Sequence, residues 1–170
     1  MALNAYYLAD KSALARFPVA SVAQRLRPLF DDDLVATCAM VDLEVLFSSR
    51  TLAEYEPVLG ERRSLQSAPI TPAVMNLAID LQHRLARRGE HRVPIPDLIV
   101  SAAAKVAGLV VLHYDADFEL IAVVGGADHS WVVPPGSVPS LTGAEAAQRA
   151  DAEGMGSPMA RGVQARIWPD

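Results

Sequence analysis

A single cysteine, Cys38, stands among 170 residues. That excludes an intramolecular disulfide and any site built from several thiolates. Within LVATCAM it reads as a small buried apolar residue. No apolar run is long enough to cross a bilayer, because the longest region, 98–112, is interrupted by Lys105 and Gly108. The N-terminus lacks the basic-then-apolar pattern of a signal peptide, so a cytoplasmic protein with no membrane partner is expected. Neither GxGxxG nor a P-loop occurs, which leaves little room for a nucleotide-cofactor enzyme, and there is no internal repeat. Positive charge is short as well: 15 basic residues face 20 acidic ones, a formal net charge of −5. Nucleic-acid binders are usually basic, so the balance at first counts against RNA or DNA. It becomes indecisive if the acids form a metal site. Asp10, Glu44, Asp97, Asp115 and Asp117 equal the whole excess, and bound cations would offset them.

What is present is a chain long enough for one domain with a sizeable core, half of it apolar. Residues 3–9 read as a strand and 12–17 as a brief helical turn stopped near Pro18. Apolar residues at Val19, Val22, Ala23, Leu26 and Leu29 predict a helix over 19–30, with Pro28 near its end. Asp31, Asp32 and Asp33 suit a solvated turn with capping roles. Residues 34–39 read as a buried strand and 40–48 as a helix. A second helix, over about 52–65, is expected to break near Pro57 and Gly60. Ala68, Pro69 and Ile70 form a short extended piece, and Thr71 before Pro72 makes an N-cap and first-turn pair. That pair opens an amphipathic helix to about Arg88. A linker confined by Pro94 and Pro96 precedes a helix over 97–107 ended by Gly108. A strand at 109–113, a helix at 117–124 and a short strand at 130–133 follow. Strands alternating with helices indicate an α/β domain with a mainly parallel sheet. From 135 onwards the composition turns to Gly, Pro, Ser and Ala. This tail is expected to be a peripheral, partly mobile appendage, with a capping box at Thr142 and Glu145 opening a short helix through Ala152.

Against this background four acids stand out. Asp10 follows the first strand, Glu44 lies inside the apolar helical segment MVDLEVLF, Asp97 opens a helix, and Asp115 closes GLVVLHY. A buried carboxylate must be paired or bound to metal, and few bases lie near. In a parallel sheet, ligands gather beyond the carboxyl ends of the strands. Asp10 and Asp115 sit at two such ends, and Asp97 starts a helix on that side. Singly, each has an ordinary reading: Asp10, Asp97 and Asp115 are all placed to cap helices. Asp42 competes with Glu44 for the inward face of its helix. Together they suit hard Mg²⁺ or Mn²⁺, which prefers oxygen ligands and keeps positions open for water and phosphate. Two such ions about 3.5–4 Å apart would activate water and stabilise the leaving oxygen of a phosphodiester.

The pieces LADKSAL, VDLEVLFS, IPDLIVSAAAKVAGLVVLHYDADFELIA and WVVPPGSV resemble, in order over about residues 3–138, the PIN-domain ribonucleases, in particular the VapC toxins of toxin–antitoxin pairs. The resemblance implies a three-layer α/β/α PIN domain over 1–138, with 139–170 outside it. It also implies metal-dependent endoribonuclease activity on RNA, a homodimer, and inhibition by a VapB-type antitoxin. Asp10, Glu44, Asp97 and Asp115 carry over as metal-binding catalytic acids, Asp117 as an auxiliary acid, and Ser12 as a supporting polar residue. Lys11 stands where Thr is commoner. His113 stands where many members have Thr or Ser, and so takes the place of the polar residue that supports the strand-end carboxylate.

Arg84, Arg87, Arg88, His91 and Arg92 run into the loop before Asp97. They read either as a solvated face or as contacts to the RNA backbone, the latter weakening as salt rises. Leu26, Leu29, Leu46, Phe47, Leu52, Val58 and Leu59 are either core or a groove for an antitoxin helix. Two alternatives remain: a non-catalytic PIN-like scaffold, and a phosphatase with Asp10 as nucleophile. The phosphatase would want a second acid where Ser12 stands.

Overall fold

A computed structural model of the chain describes residues 3–138. The expected capping box at Thr142 and Glu145, with the rest of the tail, lies outside the described residues. In chain order the elements are β1 (Tyr7–Ala9), α1 (Lys11–Leu14), α2 (Ala20–Asp31), β2 (Val35–Cys38), α3 (Ala39–Leu46) and α4 (Leu52–Ser64). They continue with β3 (Gln66–Ala68), α5 (Pro72–Ala86), α6 (Ile95–Ala107), β4 (Val110–His113), α7 (Asp117–Val123) and β5 (His129–Trp131). The strands form one sheet in the order β3-β2-β1-β4-β5, with every pairing parallel. Among the described residues no helix is long and apolar enough to cross a membrane.

Strand alternation generates the layers. Leu8, Ala36 and Val111 share a register row and one face, where they pack with Val74, Leu81 and Leu85 of α5, Leu98 and Val100 of α6, and Phe118 and Ile121 of α7. Ala9, Leu112 and Val35 face the other way, against Ala13 of α1 and Val22, Leu26 and Leu29 of α2. Helices therefore cover both faces, giving the three-layer α/β/α arrangement expected from the sequence. Each fully buried Leu or Val contributes about 1.5–3 kcal/mol, so the two cores hold the sheet rigidly between them.

Several boundaries differ from the sequence reading, each for a physical reason. The α4 helix is continuous through Pro57 and Gly60. Proline costs that helix one ladder bond, but residues 51–57 are exposed, so water can satisfy the freed carbonyl. The Thr51 side chain accepts from Glu54 N–H and secures the start. The extended piece near Pro69 pairs as β3 two residues earlier than expected, and Pro69, which has no N–H, lies beyond the ladder. The helix expected at 97 begins at Ile95. Pro96 is tolerated in its first turn, where the missing N–H would have no partner. Thr71 and Pro72 open α5 as expected, and Gly108 ends α6 at φ 70°.

The competition between Asp42 and Glu44 has a clear outcome. Asp42 Oδ1 accepts from Arg62 Nε at 2.7 Å and from the Thr37 hydroxyl at 2.7 Å, and Thr37 Oγ1 in turn accepts from Arg62 Nη2. Arg62 is only 2% exposed, so Asp42 neutralises a buried cation that joins α3 and α4 to β2. Removing one partner of such a pair leaves an uncompensated charge. Asp42→Asn is therefore expected to destabilise the fold by about 3 kcal/mol in chemical denaturation, while Glu44→Gln costs little. Equal losses from the two substitutions would overturn this division of roles.

Candidate metal centre

The sheet order reverses between β1 and β4: the chain runs outward from β1 to β2 and β3, then crosses to β4 and β5. This is the switch point where parallel sheets open a crevice at their carboxyl ends. Asp10 and Asp115 emerge there. Asp10 N–H donates to Leu112 O at 2.9 Å, which carries the β1–β4 pairing one residue past the strand. The Asp10 side chain accepts from Ser12 N–H at 2.8 Å as the N-cap of α1. Its ordinary capping role and its place in the site therefore coexist.

Asp115 sits on a turn held from three directions. Ser12 Oγ accepts from Tyr114 N–H at 2.9 Å, and His113 Nδ1 accepts from Asp115 N–H at 3.1 Å. Asp115 Oδ1 itself accepts from Asp117 N–H at 3.0 Å. Ser12 thus supports the turn, and His113 holds the backbone of the strand-end acid. Because Nδ1 accepts, the proton of neutral His113 belongs on Nε2, which lies 3.0 Å from His129 Nδ1. The ring is fully buried against Phe118 and Trp131. Burial first, then the charge of His129, pushes its pKa down to about 4, so it stays neutral at physiological pH.

Asp97, Asp115 and Asp117 each place a carboxylate oxygen within 4.8 Å of the others. Asp117, an auxiliary acid in the sequence reading, is thus part of the tightest group. Asp10 and Glu44 lie outside that trio but within electrostatic reach of it. Burial raises the pKa of Asp97 to about 8, and the charges of Asp10, Asp115, Asp117 and Glu44 add to the effect. Burial likewise raises Asp10, Glu44 and Asp117, against opposing hydrogen bonds from Ser12 at Asp10 and the Lys11 charge at Glu44. Asp97 does not cap its helix, since no side chain caps α6.

Two buried oxygens, Asp97 Oδ2 and Glu44 Oε2, have no protein hydrogen-bond partner. Lone buried carboxylate oxygens in an all-oxygen cluster, with no ion pair to any of these acids among the described residues, match the donor set of a hard divalent cation.

The other sequence candidates divide. Arg84 donates to Val124 O at 2.9 Å, and Arg88 pairs with Glu90 at 2.7 Å. Arg87, His91 and Arg92 are exposed. Leu26, Leu29 and Leu46 belong to the core, Val58 and Leu59 are half-buried, and Phe47 and Leu52 are 88% and 70% exposed. Sequence reasoning missed His129 and Arg16. His129 pairs with His113 only through strand register, but Arg16 stands four residues after Ser12, a helical spacing that was there to be read.

Raised carboxylate pKa values make metal-free stability depend on pH. A group whose folded pKa exceeds its unfolded value stabilises the fold below the unfolded pKa, and that stability is lost as pH rises through the folded pKa. For Asp97 the window runs from about 4 to about 8. His113, with its pKa lowered, acts in the opposite sense, losing stability as pH falls from its ordinary 6.5 towards 4. Between pH 8 and 6.5 the acids therefore act alone. In EDTA, melting temperature is expected to rise over that interval by a few degrees, since one group contributes at most about 2 kcal/mol over 1.5 pH units and each kcal/mol is about 2–4 °C. Asp97→Asn should flatten the rise; an equal slope in wild type and variant would contradict the assignment.

No family model matches the chain. Individual relatives do. Ribonuclease VapC51 of Mycobacterium tuberculosis is 37% identical over 132 residues, covering 78% of this chain and 96% of the relative. Ribonuclease VapC21 of the same species is 41% identical over 133 residues, covering 77% and 96%. Among solved structures, VapBC-5 from Mycobacterium tuberculosis, described as a member of the VapBC family of toxin–antitoxin systems, aligns with a TM-score of 0.51 at 26% identity over 75% of this chain and 97% of that one. DNA-bound VapBC from Salmonella typhimurium shares the fold with a TM-score of 0.60 at 17% identity, over 76% and 99%. With such relatives matched over nearly their whole length, the chain belongs to the VapC family of ribonucleases, the toxins of toxin–antitoxin pairs.

Proposed function

We propose that this protein is a Mg²⁺- or Mn²⁺-dependent endoribonuclease, with Asp10, Glu44, Asp97, Asp115 and Asp117 holding the cation. The observation that carries this reading is the pair of buried, unpartnered oxygens on Asp97 and Glu44 beside the Asp97–Asp115–Asp117 trio. A bound divalent ion supplies polarisation of the phosphoryl oxygen and a water activated for attack. The chain's own residues supply position and proton balance. Asp10 is held by the Ser12 amide, and Asp115 by the amides of a turn that Ser12 and His113 secure. Asp97, whose pKa burial raises to about 8, would be among the groups holding the cation and would bind it in its deprotonated form.

Side-chain nucleophiles have no part in this scheme. Cys38 is buried with its pKa raised by desolvation, and the Ser12 oxygen is engaged by Tyr114 N–H. The exposed apolar residues Leu43, Phe47 and Leu52 around the α3–α4 junction suit an amphipathic segment of a VapB-type antitoxin, and a homodimer accompanies this reading. Arg87 and Arg92, exposed on the loop into α6, are the better placed of the arginine cluster for RNA phosphates, since Arg84 and Arg88 are engaged within the chain.

Incubated with total cellular RNA, the protein should cut only with Mg²⁺ or Mn²⁺, and expression alone should arrest bacterial growth. EDTA should abolish cleavage, and Asp10→Asn should abolish both effects. Growth arrest that survives Asp10→Asn, with no metal-dependent cleavage, would favour a non-catalytic scaffold instead. Metal should also raise the melting temperature by mass action; an increase unchanged in both Glu44→Gln and Asp97→Asn would remove the shared site.

A further inference from the structure

Arg16 is a cation at the edge of an acidic cluster that forms no ion pair. Its guanidinium lies 4.4 Å from the ring centroid of Tyr114, and Nη1 donates to Ser12 O at 2.7 Å. Tyr114 is itself fixed: its ring packs edge-on against Trp131, its hydroxyl accepts from Val138 N–H at 3.1 Å, and its amide is bound by Ser12. The guanidinium is therefore held on a fixed platform one residue from Asp115. Yet neither Asp115 nor any other carboxylate among the described residues pairs with it, and its shielded Nε–H has no acceptor. A merely structural arginine would be expected to meet these donors. An arginine aligned by one backbone carbonyl and one aromatic face, with Nη2 uncommitted, is instead arranged to receive an anion.

We propose that Arg16 binds a phosphodiester of the RNA strand adjacent to the carboxylate cluster. The planar guanidinium matches two non-bridging phosphate oxygens with a fork of N–H donors, which lysine cannot reproduce. Its position next to Asp115 sets the strand in register with the acids, while its lack of an ion pair leaves the carboxylates for the cation. This inference rests on the nuclease reading for its substrate but is separable from it by experiment.

The test uses the full chain with Arg16→Met, which keeps the apolar stem over Tyr114 and removes the charge, and Arg16→Lys, which keeps the charge without the fork. On total cellular RNA, Arg16→Met should raise KM about tenfold with kcat changed far less. It should also reduce the slope of log affinity against log salt by about 0.7, the loss of one phosphate contact on a single strand. The Mn²⁺-induced rise in melting temperature should be unchanged. Arg16→Lys should recover the salt slope but only part of KM. Unaltered KM and salt slope in Arg16→Met would overturn the proposal, as would loss of the Mn²⁺ response, which would make Arg16 a support of the metal centre. In parallel, binding of a fluorescent mixed-sequence single-stranded RNA 12-mer is measured on Asp10→Asn with and without Arg16→Met. Weaker binding in the double variant sustains the Arg16 assignment even if the wild type cuts no RNA; equal binding ends it.

Discussion

Mutual repulsion among carboxylates at one end of a parallel sheet is the constraint on which this molecule turns. The β1–β4 pairing sets Asp10 and Asp115 side by side at the switch point, and α6 delivers Asp97 into the same space. Three devices relieve the repulsion. Backbone amides donate to Asp10 and Asp115, burial raises the pKa of Asp97 to about 8 so that it favours its protonated form, and under the proposed function a divalent cation would replace that proton. The first is permanent, and the other two exclude one another. Protonation and cation loading would therefore compete at Asp97, which would couple the site to pH in a way that a surface cluster would not be.

Around the acids the chain builds a stiff frame from few parts. Ser12 accepts from Tyr114, aligns Arg16 through its carbonyl, and donates its amide to Asp10. One residue thereby ties α1 to the turn after β4. On the other side His113, anchored by His129, takes the Asp115 amide. Sites of this kind demand ligand positions held to within about 0.5 Å. Here the short Ser12 side chain, the buried His113 ring and the amides of Ser12 and Asp117 hold Asp10 and Asp115 in place. The histidine that performs this task also brings an aromatic surface that packs against Phe118 and Trp131.

Much of this was legible in the residues. Periodicity exposed the alternation of strands and helices, and the strand ends of β1 and β4 followed from where LNAYYLA and GLVVLHY stop. What resisted reading depended on partners distant in sequence. Pro57 and Gly60 suggested a break in α4, whereas exposure of that stretch and the Arg62–Asp42 ion pair at its far end keep it whole. Periodicity did not separate Asp42 from Glu44. The decision lies with Arg62, twenty residues away, and no local pattern contains it. Asp117 entered only as an auxiliary acid through the family resemblance; the turn after β4 places its amide on Asp115 and its carboxylate with Asp97 and Asp115.

The same energetics weigh on the alternatives. A scaffold that only binds a partner gains nothing from carboxylates crowded at a buried strand end, and each of them would be cheaper as an amide. A phosphatase built on Asp10 would want a second acid at position 12. Instead that side chain is a hydroxyl whose oxygen accepts from the Tyr114 backbone amide, so position 12 supplies no carboxylate for acid–base work. The overall acidity of the chain, which at first counts against a nucleic-acid substrate, is concentrated where a cation would offset it. Local charge at the point of contact, with Arg16 on its aromatic platform and Lys11 moderating Glu44, then matters more to an incoming phosphate than the sum over the chain.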